Sequence, residues 1–245
     1  LTPARGLEFS ATWYRIDYTD RVATPIPSLV GVLDNPLYAD LVTLNPDAND
    51  LAAIIDGALL GLENSTGRPY DPATIVAFID ARDRNIARQR YSGVDLSMRY
   101  RIEFDGGKEL ALSTAGSFLK SRQQILPGAA WTSLAGTLFR PSRFRGRAGV
   151  TYGGDRFTLA AFVNHMSGLD DDRQAVRMRI PSYTTLDLTA RGRLGKRTDV
   201  SLAALNLFNA KPTAIVTALP SETPYDTTNY SPAGRFVGLT VRQEW

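Results

Sequence analysis

Nucleophilic catalysis needs a base beside the nucleophile. This chain carries one histidine and no cysteine. The histidine is His165, and Ser167 is the serine nearest to it in sequence. No catalytic motif surrounds the pair, and His165 falls at the end of an alternating strand, where it reads as a rim residue without a catalytic role. The lack of cysteine also removes disulfides, thiolate metal sites and thiol nucleophiles. The run Asp170-Asp171-Asp172 offers oxygen ligands of the kind a hard cation takes. Its spacing is not that of a calcium loop, and it reads as an acidic loop tip in water. Gly153-Gly154 is a turn and not a phosphate loop, because no Lys-Ser/Thr and helix follow. No cofactor and no resident metal are expected. Arg140, Arg143, Arg145 and Arg147 cluster at one strand end. They could meet the phosphates of lipopolysaccharide or an anionic ligand, or stand solvated or paired on a polar wall.

The remaining candidates are periodic. Asp95, Arg99 and Arg101 share one parity, and Asp187, Arg191 and Arg193 share one in a second segment. Residues two apart on a strand point the same way. These six would stand on a wet face, where opposite charges on neighbouring strands can pair across the ladder. As binding residues they would line a ligand path; as structural residues they would brace a polar inner wall.

The elements that would position them alternate throughout. Val94, Leu96, Met98, Tyr100 and Ile102 face away from Asp95, Ser97, Arg99 and Arg101. Leu186, Leu188, Ala190 and Leu194 oppose Asp187, Thr189, Arg191 and Arg193. Period-two counting predicts about eight strands, over residues 7–18, 88–104, 108–122, 144–152, 156–165, 183–194, 199–208 and 234–245. Leu7, Phe9, Ala11 and Trp13 alternate before the phase moves to Tyr14, Ile16 and Tyr18, which predicts a bulge. Asp105-Gly106-Gly107, Gly153-Gly154-Asp155 and the four residues from Gly195 make short connections, two of them supplying the positive-φ positions of tight hairpins. The connections at 19–87, 123–143, 166–182 and 209–233 are long. Short and long alternate without exception, as in an up-and-down membrane barrel with short periplasmic turns and long extracellular loops.

Composition allows this. The 245 residues are 43% hydrophobic with mean hydropathy −0.17, which resembles a soluble protein. No stretch approaches the roughly 18–20 apolar residues of a membrane helix. A β-barrel with a polar lumen averages to the same hydropathy. A net charge of +3, spread along the chain, gives no reason to expect nucleic acid. The first long loop predicts two short helices: one after Pro46-Asp47 carrying Leu51, Ile54, Ile55, Leu59 and Leu62, and one after Asp71-Pro72 carrying Ile75, Val76 and Ile79. They would form a small self-packed core or an external ligand-contact element.

Several segments resemble the C-terminal part of a TonB-dependent outer-membrane receptor. Asn206-Leu207-Phe208-Asn209-Ala210-Lys211-Pro212 is similar to that family's segment on the penultimate strand. Tyr230-Ser231-Pro232-Ala233-Gly234-Arg235 resembles its closing segment, and Tyr91-Ser92-Gly93-Val94-Asp95 its opening of an upward strand. Tyr14-Arg15-Ile16-Asp17-Tyr18-Thr19-Asp20-Arg21-Val22 resembles a strand and loop entry, and Trp245 an aromatic-ended insertion signal, with Gln243 departing from its usual apolar residue.

The resemblance implies that residues 1–245 are the C-terminal portion of a receptor barrel of about 22 strands, in the outer membrane of a Gram-negative cell. It implies a transporter and no enzyme, taking up a scarce nutrient such as a siderophore, cobalamin or oligosaccharide. The implied partners are outer-membrane lipid and lipopolysaccharide, an extracellular small ligand, a plug domain absent from this chain, and the TonB complex acting through that plug. The alternative is a complete small outer-membrane barrel of about eight strands acting as an enzyme or adhesin.

Overall fold

The structure, a computed structural model, describes residues 5–173, 176–217 and 220–244. Leu1, and Trp245 with the aromatic end of the last strand, lie outside the described residues. The fold is all-β. Eight strands pair in chain order: β1 (Leu7–Ala23), β2 (Arg84–Phe104), β3 (Lys108–Gln124), β4 (Phe144–Gly153), β5 (Phe157–Met166), β6 (Tyr183–Leu194), β7 (Thr198–Leu205) and β8 (Phe236–Gln243). A two-residue strand, Thr132–Ser133, adds to β3. The pairing from β3 through β8 is antiparallel at every step. The sheet is open, with β1 and β8 as its edges.

The turn at Gly106-Gly107 follows its sequence. Gly106 and Gly107 take φ of 75° and 71°, where a side chain would be strained. The turn at Gly153-Gly154 does not take the expected positive φ at either glycine, and Gly154 N donates to Phe157 O at 2.9 Å. The short turns also sit side by side. A Cβ on Gly107 would lie 3.4 Å from Asp155 Oδ1, and one on Gly154 would lie 3.5 Å from the Gly107 carbonyl. Arg193 N donates to Arg156 O, and Glu244 N to Arg197 O, both at 2.8 Å.

Register sorts the side chains into rows. Val150, Ala161, Leu188, Ala204 and Val237 align across five strands, as do Tyr152, Leu159, Ala190, Leu202 and Leu239. One residue along, the row reads Thr151, Ala160, Thr189, Ala203 and Gly238. The apolar rows remain uncovered: Leu159 is 51% and Leu239 68% exposed. A soluble sandwich would bury such a face against a second sheet. Here the large buried apolar side chains gather mainly in the connections.

β1 runs as one strand from Leu7 to Ala23, through the position where the sequence predicts a bulge. Arg101 N donates to Gly6 O at 2.8 Å, the Tyr14 hydroxyl covers Gly93, and Asp17 pairs with Arg90. Arg15 and Asp17 keep the parity of Trp13. What changes after Trp13 is the chemistry of the face.

The chain divides into two compact units. One comprises Tyr18–Gln89 and Gln124–Trp131, and its core is Ile26, Val32, Leu41 and Leu126. In it Val42–Leu44 pairs with Ala77–Ile79, and Asn45 N donates to Val76 O at 2.9 Å. The first predicted helix forms as α1 (Ala48–Asp56), capped by the Asp47 side chain on Asn49 N at 2.7 Å. It stops at Gly57, and Leu59 and Leu60 are fully exposed. The second predicted helix does not form. Asp71 caps a single 3-10 turn, Pro72–Thr74, and Ala77–Ile79 continues as a strand. The β-branched and aromatic residues there favour the extended pairing with Val42–Leu44.

The other unit comprises Leu1–Asp17, Arg90–Gln123 and Thr132–Trp245. Its long connections are not loose. Leu138, Met166, Leu169, Ile180 and Tyr230 form one buried cluster, joined by Phe139, Tyr183, Ile215 and Tyr225. No helix among the described residues is long and apolar enough to cross a membrane, which says nothing of crossing by strands.

Candidate functional site: the polar face of the sheet

The polar rows of β1 to β6 bound a concavity of about 590 Å³ toward the long-loop end. Asp95, Ser97, Arg145, Arg147, Asn164 and Thr185 line it. Alternation alone brings them to one side. Arg147, Asn164 and Thr185 are direct register partners on β4, β5 and β6. The wall offers hydroxyls, amides and guanidinium groups to one volume, a set suited to hydrogen-bonding a polar or anionic solute.

Beneath it lies a built feature that the sequence reading missed. Phe162 faces Gly149 across β4 and β5. A Cβ on Gly149 would stand 2.2 Å from Phe162 Cδ1, so the ring occupies the space the glycine leaves. The guanidinium carbon of Arg147 lies 4.0 Å from the ring centroid. Such a cation–π contact contributes about 0.5–1 kcal/mol at an exposed site, and it orients Arg147 along the wall. The signal was present: Phe162 is an aromatic at polar parity, opposite a glycine.

The six predicted site residues are on the polar face but not in one site. Asp95 lines the concavity. Arg99 lies lower, in a depression with Glu8, Ser113, Arg147 and Phe162. Arg101 pairs with Glu109 at 3.1 Å toward the tight-turn end. Arg191 and Arg193 share Asp199 at 3.4 and 3.5 Å on the neighbouring strand. Asp187 accepts from Asn164 Nδ2 at 2.8 Å and from Asn206 N at 2.9 Å. Ladder pairing therefore occupies Arg101, Arg191 and Arg193, and leaves Asp95 and Arg99 nearest to the open wall.

Above the concavity the long connections lock together. Asp226 is fully buried and accepts from Phe139 N and Thr228 N, both at 2.9 Å, and from Asn229 Nδ2 at 2.8 Å. Asn229 Nδ2 also donates to Arg140 O at 2.8 Å, and Arg145 donates to Asn229 Oδ1. The arginine cluster is thus divided. Arg143 reaches Ala135 O and Asp170, Arg145 reaches the loop latch, and Arg147 lies on Phe162.

The acidic run is water-facing only in part: Asp172 is exposed and Asp170 half-buried, but Asp171 is not. Asp171 is 1% exposed and receives Arg173, which also reaches Glu222 and the Val216 carbonyl. These charge-assisted bonds hold the Asp171 carboxyl below the usual carboxylate range, and they raise the guanidinium of Arg173. The sequence could not show this, because the partner that buries Asp171 is a packed loop. Among the described residues no cluster of potential ligands could hold a metal ion. His165 Nδ1 lies 2.8 Å from Thr184 Oγ1, while Ser167 Oγ accepts from Phe144 N.

The motif segments act as fasteners. Asn206 exchanges two hydrogen bonds with the Ala210 backbone at 2.8 Å, and Tyr183 donates to the same carbonyl at 3.1 Å. Asn209 Oδ1 accepts from Arg235 N at 3.0 Å, tying the penultimate segment to the closing one.

The family model described as TonB dependent receptor-like, beta-barrel, matches residues 1–209. No curated protein and no solved structure matches the chain.

Proposed function

The chain belongs to the TonB-dependent receptor β-barrel family, whose members are outer-membrane transporters and not enzymes, and we propose that it is the C-terminal portion of such a receptor's barrel. The receptor takes up a scarce nutrient, of the siderophore, cobalamin or oligosaccharide kind, with energy from the TonB complex acting through a plug domain. The observation that carries this reading is the exposed apolar face backed by a polar wall with its own concavity. Lipid solvates the first, and the second lines the lumen beside the plug. Asp95, Arg99 and Arg147 are the lumen residues placed to meet a solute; Arg101, Asp187, Arg191 and Arg193 brace the wall. The excursion of residues 46–75 from the first loop, hung on the paired Val42–Leu44 and Ala77–Ile79, is the external contact element.

The test is uptake by cells carrying the full-length receptor with residues 46–75 replaced by a short turn. The neck pairing survives, so the barrel assembles, while ligand binding weakens. Unchanged uptake by a correctly assembled variant would remove the excursion from the binding surface.

A further inference from the structure

Leu59 and Leu60 hold the two central positions of a turn that Gly61 N closes on Ala58 O at 3.0 Å, with Gly61 at φ 68°. Those positions ordinarily carry proline, glycine, asparagine, aspartate or serine, which suit a tight turn in water. Here two leucines occupy them, and both are fully exposed. Ile54 and Leu62, on either side in the chain, are exposed as well. The core of their unit, Ile26, Val32, Leu41 and Leu126, is built without them. Apolar side chains presented together in this way mark a contact with another molecule.

The segment that carries this finger is acidic. From Asp34 to Asp71 the chain holds seven acidic residues, all exposed, against the single base Arg68. The whole chain is net +3, so its positive charge is concentrated elsewhere. Like charges repel an acidic finger from the anionic surface of a membrane. Its partner is a surface with apolar floor and basic rim.

The sheet carries such a surface. Beyond Trp13 on β1 and Phe118 on β3 the outward face changes from apolar to basic: Arg15 follows Trp13, and Lys120 and then Arg122 follow Phe118. With Arg90 on β2 and with Arg143 they line a depression of about 670 Å³, in which Trp13 and Leu119 supply apolar surface and no acid takes part among the described residues. Asp17 takes Arg15 at 3.0 Å and also Arg90, and one carboxylate against five cations leaves the depression positive.

We propose that these two surfaces are the halves of one interface between copies of this chain, the leucine finger of one copy docking in the basic depression of the next. The leucines bury against Trp13 and Leu119, and the acids beside them meet the cations of the rim. The apolar anchors supply affinity, and the opposed charges set register and partner choice. The two copies contribute different surfaces, so the contact is heterologous and propagates into a ring or an open row of receptors. The inference goes beyond nutrient uptake and holds whichever nutrient is carried.

The experiment is sedimentation velocity of the full-length receptor in detergent over a range of concentrations. Wild type assembles as concentration rises. Leu59→Ser/Leu60→Ser removes the finger, Lys120→Glu/Arg122→Glu reverses the rim, and each weakens self-association roughly tenfold or more. Mixed one to one, the two variants form dimers and nothing larger, because one brings an intact depression and the other an intact finger. A mixture that stays monomeric where wild type assembles would overturn the proposal, as would wild-type assembly by either variant. Wild type that is monomeric at every concentration would overturn it in favour of an unlike partner for the leucines. Heat-modified gel migration identifies a variant that fails to fold, and the milder pair Leu59→Ala/Leu60→Ala and Lys120→Gln/Arg122→Gln then carries the same mixing test.

Discussion

Arg173 closes on Asp171 through two hydrogen bonds, Nε to Oδ1 at 2.9 Å and Nη2 to Oδ2 at 3.0 Å, around a carboxylate that is 1% exposed. The pair ties the connection after β5 to the one before β8, because the same guanidinium donates to the Val216 carbonyl at 2.9 Å. Its folded carboxyl is held below the ordinary value of about 3.9. A depressed acid contributes stability above its unfolded pKa and loses that contribution as pH falls through its folded pKa. The loop cluster therefore keeps its order at neutral pH and loosens only below about pH 4. Hydrogen exchange around Leu169 and Ile180, followed with pH, checks this. Asp171→Asn should loosen the cluster at neutral pH by about 2 kcal/mol, the scale of a charged hydrogen bond, and flatten the acid dependence.

Leu188 and Thr189 are adjacent on β6 but belong to different rows. Leu188→Arg should cost about 2–4 kcal/mol in assembly, because it sets a cation against the bilayer interior. Thr189→Arg should cost far less. Urea titration of the refolded receptor in vesicles measures both, and equal costs would contradict the assignment of faces.

Gly149→Ala should force the Phe162 ring off its seat, since the new Cβ would begin 2.2 Å from Cδ1. The expected loss is about 1–3 kcal/mol, as for other overpacked sites. Phe162→Ala removes the conflict. A double-mutant cycle should then show strong coupling between the two positions, and additivity would mean that the ring has another resting place.

Sidedness is measurable with single cysteines in an otherwise cysteine-free chain. Asp172→Cys, exposed beside the buried Asp171, should react with an impermeant thiol reagent on intact cells. Lys196→Cys, in the tight turn between β6 and β7, should react only after the membrane is opened. Asp171 itself is a poor probe, because the structure buries it.

Alternation of residue type along β2 to β8, together with Gly106-Gly107 and Gly195, determined the strands, their order, the position of the tight turns and the two faces. These are local instructions. A face needs residues two apart, and a hairpin needs a few residues of permissive backbone. Only the tertiary structure decided the rest. The helical spacing around Ile75 and Ile79 yielded to a strand, because Val42–Leu44 was there to pair with it. Asp171 reads as water-facing until the packed connections cover it, and Asp226 reads as an ordinary loop acid until Phe139 N, 87 residues away, donates to it. Arg15, Lys120 and Arg122 lie apart in the chain, and they form one basic patch only because β1 and β3 flank β2 in the sheet. Spacing within a strand is written in the sequence. Which strands and loops become neighbours across such separations is fixed by pairing and packing, which no short window of residues contains.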